Sequence, residues 1–131
     1  MTQDTVASIR PQPLIAVADV QLASSWYQRV LGATSGHGGP EYEQLLVDGS
    51  LVLQLHRSDV EHHHGRVGVS ERPTGDGVAL WFEAEDFAGA VGRIRELDPE
   101  IVTDVHTNPN ARHQEIWIRD LDGYLVVIAE R

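Results

Sequence analysis

Apolar and polar positions follow two different periods along this chain. Short apolar or alternating runs predict strands at residues 14–18, 42–47, 50–56, 78–83 and 101–105, and a final hairpin within 113–130. Two other stretches repeat apolar residues every three to five positions, which predicts helices that each bury one stripe. The first stripe consists of Leu22, Trp26, Tyr27, Val30 and Leu31, and the second of Phe87, Val91, Ile94 and Leu97.

The order strand, helix, strand, hairpin occurs twice, about half the chain apart. We therefore predict an α+β fold, a single domain over residues 1–131 made of two βαβββ halves, about 12–57 and 77–131. A His- and Gly-rich loop at 58–76 would join the halves. Each sheet is expected to carry its helix on one face and to leave the other face free to curve around a pocket.

Residues at the ends of these elements support the boundaries. Asp19 and Asp86 are suited to cap the two helices, and Gly32 is suited to end the first. Asp48-Gly49 and Asp122-Gly123 each lie between two apolar runs. They predict tight hairpin turns, because both residue types tolerate positive φ.

The last hairpin has one aliphatic face and one polar face. Ile116 and Ile118 point to the predicted core, so Glu115, Trp117 and Arg119 share the opposite face. A carboxylate, an indole and a guanidinium side by side are unusual on a plain solvent face and favour a binding surface.

Two other strands show a similar arrangement. Trp81 and Glu83 repeat the aromatic–acid alternation on the strand that opens the second half, and Gln54 shares a face with His56 in the first half. His37 and His106 are expected in surface loops. These alternations predict a shared polar and aromatic cleft.

Composition narrows the possible partners. The 131 residues carry a formal net charge of −10, which argues against a nucleic-acid or anionic-membrane partner. The chain has no apolar run long enough to span a membrane and no signal-peptide pattern at its N-terminus. The absence of cysteine excludes thiolate metal ligands and is compatible with a cytoplasmic location, which we predict.

Three stretches resemble the vicinal oxygen chelate superfamily, which includes glyoxalase I, bleomycin-resistance and fosfomycin-resistance proteins and extradiol dioxygenases. They read IAVADVQLASSWYQRVLG at 15–32, VALWFEAEDFAGAVGRI at 78–94 and EIWIRDLDGYLVVIA at 115–129. The resemblance implies paired βαβββ modules around a U-shaped cleft, commonly built across a homodimer. It does not identify the reaction, because this fold supports many chemistries.

The resemblance also allows the usual metal-ligand positions to be checked. They fall on Gln12, on Gln54, near residues 77–79, and on Val127, where metal-using members place Glu. A catalytic divalent ion needs about three protein ligands of N, O or S type. Two amides and two positions without ligating side chains do not provide them, so we expect no bound cofactor and no standard metal site.

Histidines leave one alternative open. A shifted site built from His56, His62, His64 and Glu115 would offer suitable ligands for Ni, Zn, Mn or Fe. Such a protein would be a metal-dependent lyase, isomerase or dioxygenase. Equally, the run Glu-His-His-His-Gly at 61–65 is typical of a solvated loop. These residues do not decide whether the protein is an enzyme.

The leading hypothesis is therefore a homodimer that binds a small, partly aromatic molecule without a metal. Trp117 would stack on the ligand, Arg119 would hold an anionic or carbonyl group, and Glu115 would accept a hydrogen bond or act as a catalytic base. The predicted ligand-binding residues are Gln12, Gln54, His56, Trp81, Glu83, Glu115, Trp117 and Arg119. A structural role is the competing interpretation, and it predicts that Trp81 and Trp117 pack against each other.

Overall fold

A computed structural model of the protein describes residues 10–59 and 77–131. The first module contains β1 (Leu14–Val17), α1 (Val20–Leu31), β2 (Thr34–Ser35), β3 (Tyr42–Val47) and β4 (Ser50–Arg57). The second contains β5 (Ala79–Ala84), α2 (Phe87–Leu97), β6 (Ile101–Thr107), β7 (Gln114–Arg119) and β8 (Leu125–Glu130). The predicted α+β fold of two βαβββ modules is confirmed.

Each module forms one four-stranded mixed sheet. The strand orders are β1-β4-β3-β2 and β5-β8-β7-β6, with β1·β4 and β5·β8 parallel and the other pairs antiparallel. The predicted domain limits and the joining loop remain a prediction, because residues 60–76 lie outside the described part of the chain.

One face of each sheet is covered by the module's helix. In the first module Leu45, Leu53 and Leu55 are fully buried on this face, and in the second Ile116 and Ile118 are. Buried residues of both sheets and both helices join in one hydrophobic cluster. The helix-covered faces therefore share a core, and the opposite faces lie on the far side of each sheet.

The helix ends form as predicted. The Asp19 carboxylate accepts from the Leu22 backbone N–H at 3.0 Å, and the Asp86 carboxylate accepts from the Gly89 N–H at 2.9 Å. Gly32 ends α1 with φ of 68°, a left-handed conformation that glycine adopts without steric cost.

The prediction that Leu22 belongs to the buried stripe of the first helix is wrong. Leu22 is 60% exposed, because the buried face of α1 is formed instead by Val20, Ala23, Tyr27 and Val30.

The strand Thr34–Ser35 lies in a segment for which the sequence pattern predicts no element.

The two predicted Asp-Gly turns differ. Asp48 and Gly49 both have positive φ, 49° and 77°, as a two-residue hairpin turn requires. The prediction of a tight turn at Asp122-Gly123 is wrong, since β7 and β8 are joined by the five residues 120–124 and only Gly123 among them has positive φ. We call residues 120–124 the β7–β8 loop.

The β7–β8 loop fastens the second module to the first. The Tyr27 hydroxyl donates to Asp120 Oδ2 at 2.5 Å, and the Tyr124 hydroxyl donates to the Ala16 carbonyl at 2.9 Å. The Ala18 N–H donates to Asp122 Oδ1 at 2.8 Å. A two-residue turn is too short to make all these bonds, which explains why the loop has five residues.

In the described residues, neither helix has the length and apolarity needed to cross a membrane.

Candidate functional site

The helix-free face of the second sheet presents two rows of side chains across its strands. Trp81, Val127 and Trp117 are register partners in β5, β8 and β7. Side chains at register positions lie directly beside one another, so Val127 is flanked by two indoles. The rings of Trp81 and Trp117 meet edge to face with centroids 6.4 Å apart, while Trp81 is still 48% exposed.

The second row contains both acids that the sequence indicates. Glu83, Ala129 and Glu115 are register partners, and His106 of β6 pairs with Glu115. Ala129 and Glu115 are buried, whereas the Glu83 side chain is 62% exposed and lies 3.7 Å from the Arg131 guanidinium. The small Ala129 therefore separates an exposed carboxylate from a buried one.

Glu115 is the centre of a hydrogen-bonded cluster. Its Oε1 accepts from the Trp117 indole N–H at 2.8 Å, and its Oε2 accepts from the Asn108 amide at 2.8 Å and from His113 Nε2 at 2.6 Å. His106 Nε2 lies 3.7 Å from Oε1. We call Glu115 with Trp117, Asn108, His113 and His106 the Glu115 cluster.

The Glu115 cluster keeps its carboxylate ionised. Burial alone would raise the pKa of Glu115, but hydrogen bonds from Trp117, Asn108 and His113 outweigh burial and lower the pKa. An ionised carboxylate that is fully buried and already holds three donors is a poor proton acceptor for a ligand. The geometry therefore favours a positioning role for Glu115 over the predicted role of catalytic base.

Histidines of this cluster were only partly anticipated. The prediction that His106 lies in a surface loop is wrong, because it belongs to β6 and its ring centroid is 6.4 Å from that of Trp117. Two register irregularities in β6 break the simple alternation of faces, so no sequence pattern could have placed it. His113 could have been found, since it shares i, i+2 spacing with Glu115.

Arg119 lies on the same face beyond the tryptophan row. It is the register partner of Leu125, and its Nη1 donates to the Gly123 carbonyl at 3.0 Å. Part of the guanidinium is therefore used to hold the β7–β8 loop. Arg119 therefore has fewer N–H donors left for the anionic or carbonyl group that it is predicted to bind.

The first sheet also has a polar helix-free face, built around Gln54. The Tyr42 hydroxyl donates to Gln54 Oε1, and the Gln54 amide donates to the Gln12 carbonyl at 2.9 Å. The Gln44 amide donates to the Tyr42 hydroxyl at 3.1 Å. His56 lies beside Gln54 on β4 but is 4% exposed, and its Nδ1 bonds the Arg57 carbonyl at 2.9 Å.

The predicted site residues thus fall into two groups on two sheets. Gln12, Gln54 and His56 belong to the first module, and the other five belong to the second. No strand of one sheet pairs with a strand of the other among residues 10–59 and 77–131. Their assembly into one site remains a prediction.

The alternative metal set is not assembled in the described part of the chain. His56 and Glu115 lie on different sheets, and His62 and His64 lie outside the described residues. Within 10–59 and 77–131, no group of three or more His, Asp or Glu side chains is arranged to hold an ion. Val127, at the position where the resemblance implies a glutamate, is fully buried between the two tryptophans.

A groove of about 1020 Å³ runs along the outer edge of β5, between the two modules. Its walls include Pro11 and Val52 of the first module and residues 78–86 of the second. Trp81 and Glu83 line the groove, but Glu115 and Trp117 do not. Trp81 therefore lies where the groove meets the polar and aromatic face of the second sheet.

A family comparison agrees with this architecture. Residues 6–128 match the family model described as Glyoxalase/Bleomycin resistance protein/Dioxygenase superfamily. The chain belongs to this superfamily, whose members commonly dimerise and bind small molecules. A comparison with curated proteins finds no match.

Solved structures show the same fold at low sequence identity. Lactoylglutathione lyase from Agrobacterium tumefaciens superposes with a TM-score of 0.68 at 20% identity, over 97% of this chain and 96% of that one. The fosfomycin resistance protein FosX from Listeria monocytogenes gives 0.66 at 15%, over 96% and 95%. TioX from Micromonospora sp. ML1 gives 0.70 at 18%, over 89% and 94%. At these identities the likeness establishes the fold alone.

Proposed function

We propose that this protein binds a small, partly aromatic molecule on the helix-free face of its second sheet, without the metal site that many relatives use. The observation that carries the proposal is the row Trp81–Val127–Trp117. An aliphatic side chain between two indoles stands where metal-using relatives place a carboxylate. Such a row offers a flat apolar ligand the exposed half of Trp81 and offers a metal ion no ligand atom.

Space and exposure support this placement. Trp81 is 48% exposed and also lines the groove of about 1020 Å³, so a ligand on Trp81 has open space beside it. The edge contact between Trp81 and Trp117 is what the structural interpretation predicts, but it leaves about half of Trp81 uncovered. That uncovered surface is the part that a ligand would cover.

The proposal includes a homodimer in the cytoplasm. Within the chain the two helix-covered faces share a core, so each helix-free face lies away from the other module's helix. A second copy could bring the Gln54 face of one protomer opposite the Trp81 face of its partner. Only such pairing would unite the eight predicted ligand-binding residues.

Removing the exposed indole tests the binding site. We expect Trp81→Ala to weaken the binding of a neutral planar probe, 2-naphthol, about tenfold, because the ligand loses its main aromatic contact. Titration followed by quenching of tryptophan fluorescence and by calorimetry measures this change. Leu22→Ala on α1 is the matched control, since Leu22 is also exposed and apolar. Equal affinity in all three proteins would refute the site.

Metal content separates this proposal from the shifted-ligand alternative. We expect protein purified without chelators to contain Ni, Zn, Mn and Fe far below one equivalent, because the described residues bring no three suitable ligands together. Elemental analysis of the wild type and of His56→Ala provides the measurement. A stoichiometric ion that disappears in His56→Ala would replace the proposal with a metal-dependent lyase, isomerase or dioxygenase.

A further inference from the structure

His113 differs from the other described histidines in how it uses its two ring nitrogens. In His37, His56 and His106 the Nδ1 atom bonds a backbone carbonyl at 2.7 to 2.9 Å. In His113 the bond is made by Nε2, which lies 2.6 Å from Glu115 Oε2. Within residues 10–59 and 77–131, Nδ1 of His113 has no hydrogen-bond partner.

The bond to Glu115 fixes where the imidazole carries its proton. An ionised carboxylate only accepts hydrogen bonds, so Nε2 must be the donor. In the neutral ring the other nitrogen then holds a lone pair and can only accept. Glu115 is fully buried, and its carboxylate is also held by Trp117 and Asn108. The carboxylate therefore has a fixed position, and its bond to Nε2 fixes the orientation of the His113 ring.

The His113 ring lies beside the aromatic surface. The His113 ring centroid is 6.3 Å from that of Trp81, and 27% of the His113 side chain is accessible. A flat molecule that covers the exposed part of Trp81 therefore has its edge next to the imidazole. Two carboxylates share this face with it: Glu115, which is bonded to the imidazole, and Glu83, which lies 3.7 Å from the Arg131 guanidinium.

We propose that His113 makes this a site for phenols, that is, for planar aromatic molecules whose ring hydroxyl donates a hydrogen bond to Nδ1. The inference rests on the proposed function, because it requires a ligand on Trp81. The buried charge of Glu115 disfavours aromatic carboxylates and phenolates, and the apolar row beneath favours the neutral ring. Glu115 is a positioning residue in this account, and His113 contacts the ligand.

A matched pair of probes tests the hydrogen bond. 2-Naphthol and 2-methoxynaphthalene have the same fused rings, but only the first can donate a hydrogen bond. We expect the wild-type protein to bind 2-naphthol about tenfold more tightly than the ether, in line with one hydrogen bond formed away from water. In His113→Phe, which keeps a flat ring, that preference should disappear while the affinity for the ether is unchanged.

Two further variants keep the result interpretable. His113→Lys retains an N–H that can donate to Glu115 and has no acceptor, so it should lose the preference even if His113→Phe does not fold. His37→Phe, in an exposed loop of the first module, should keep the preference.

The outcomes distinguish the two proposals. If wild-type protein binds both probes equally and Trp81→Ala weakens both, the aromatic site stands and the role of His113 is refuted. If neither probe binds, the proposed function fails and the phenol inference fails with it. A preference that persists in both His113 variants also refutes the inference.

Discussion

Glu43→Ala is expected to lower the free energy of unfolding by about 2–4 kcal/mol. Glu43 is 3% exposed beneath α1, and its carboxylate accepts from the hydroxyls of Ser24 and Ser35 at 2.8 and 2.7 Å. It also accepts from the backbone N–H groups of His37, Gly38 and Gln44. Alanine would leave these donors without an acceptor and release the turn at 35–38. Urea denaturation followed by circular dichroism measures the loss.

Acid titration tests whether the negative charge of Glu43 stabilises the folded state. Burial would raise its pKa, but hydrogen bonds from Gly38, Ser35 and Ser24 outweigh burial and lower the pKa from 4.5 to about 2. The folded state therefore holds this proton less tightly than the unfolded state. The stabilisation is complete above pH 4.5 and is lost as the pH falls towards 2, by on the order of 3 kcal/mol.

Two variants serve as controls for Glu43. Glu43→Gln keeps one oxygen for the backbone donors and can place its amide against the serine hydroxyls, so it should lose less stability and show a flatter acid dependence. Glu96→Ala, on the exposed side of α2, should change the free energy of unfolding by less than about 0.5 kcal/mol. If Glu43→Ala behaves like Glu96→Ala, the carboxylate does not hold the turn.

Asp120→Ala is expected to cost about 3–5 kcal/mol, because Asp120 joins the two modules from a buried position. Its Oδ2 accepts from Tyr27, and its Oδ1 accepts from the N–H groups of Asp122 and Tyr124 at 2.9 and 2.8 Å. Tyr27 is fully buried, so its hydroxyl would have no replacement partner. Tyr27→Phe should cost less, about 1–3 kcal/mol, since Asp120 keeps two donors.

The measurement is equilibrium denaturation of both single variants and of the double variant. The two changes should be non-additive, since each removes the same hydrogen bond. Asp104→Ala removes an exposed carboxylate paired with Arg95 and should change stability little. Additive effects of Asp120→Ala and Tyr27→Phe would show that the bond between the modules contributes nothing.

Burial gives this pair a distinct pH behaviour. Burial raises the pKa of Asp120 above its usual value, although the hydrogen bond from Tyr27 offsets part of this effect. Burial also raises the pKa of Tyr27 well above its usual value, and the charge of Asp120 and its hydrogen bond raise it further. Since the folded state holds the Asp120 proton more tightly than the unfolded state, Asp120 favours folding most at low pH. Its contribution thus opposes that of Glu43 in acid.

Most of the fold could be predicted because its signals are local. The helical stripes, the caps Asp19 and Asp86, and Gly32 at the end of α1 all act within a few residues of chain. The two faces of β7 could be assigned for the same reason. Its pairing with β8 is regular, so every second residue points to the same side, and Ile116 and Ile118 both lie in the core.

Errors arose where a distant contact decides the local structure. The β7–β8 loop is longer than an Asp-Gly turn because Asp120 and Asp122 reach residues about a hundred positions earlier. Glu43 shares a face with the buried Leu45, but nothing local in the sequence indicated the donors that satisfy its charge.

By itself the sequence determined the two βαβββ modules, the polar and aromatic face of β7, and the valine at position 127, where the family resemblance implies a glutamate in metal-using members. Tertiary structure decided that Trp81 and Trp117 flank Val127, that His106 joins Glu115, and that Nε2 of His113 bonds Glu115 while its Nδ1 has no partner among residues 10–59 and 77–131. The reason is register: a period of two tells which residues share a face, whereas which strands lie side by side, and where a bulge shifts them, is set by long-range packing.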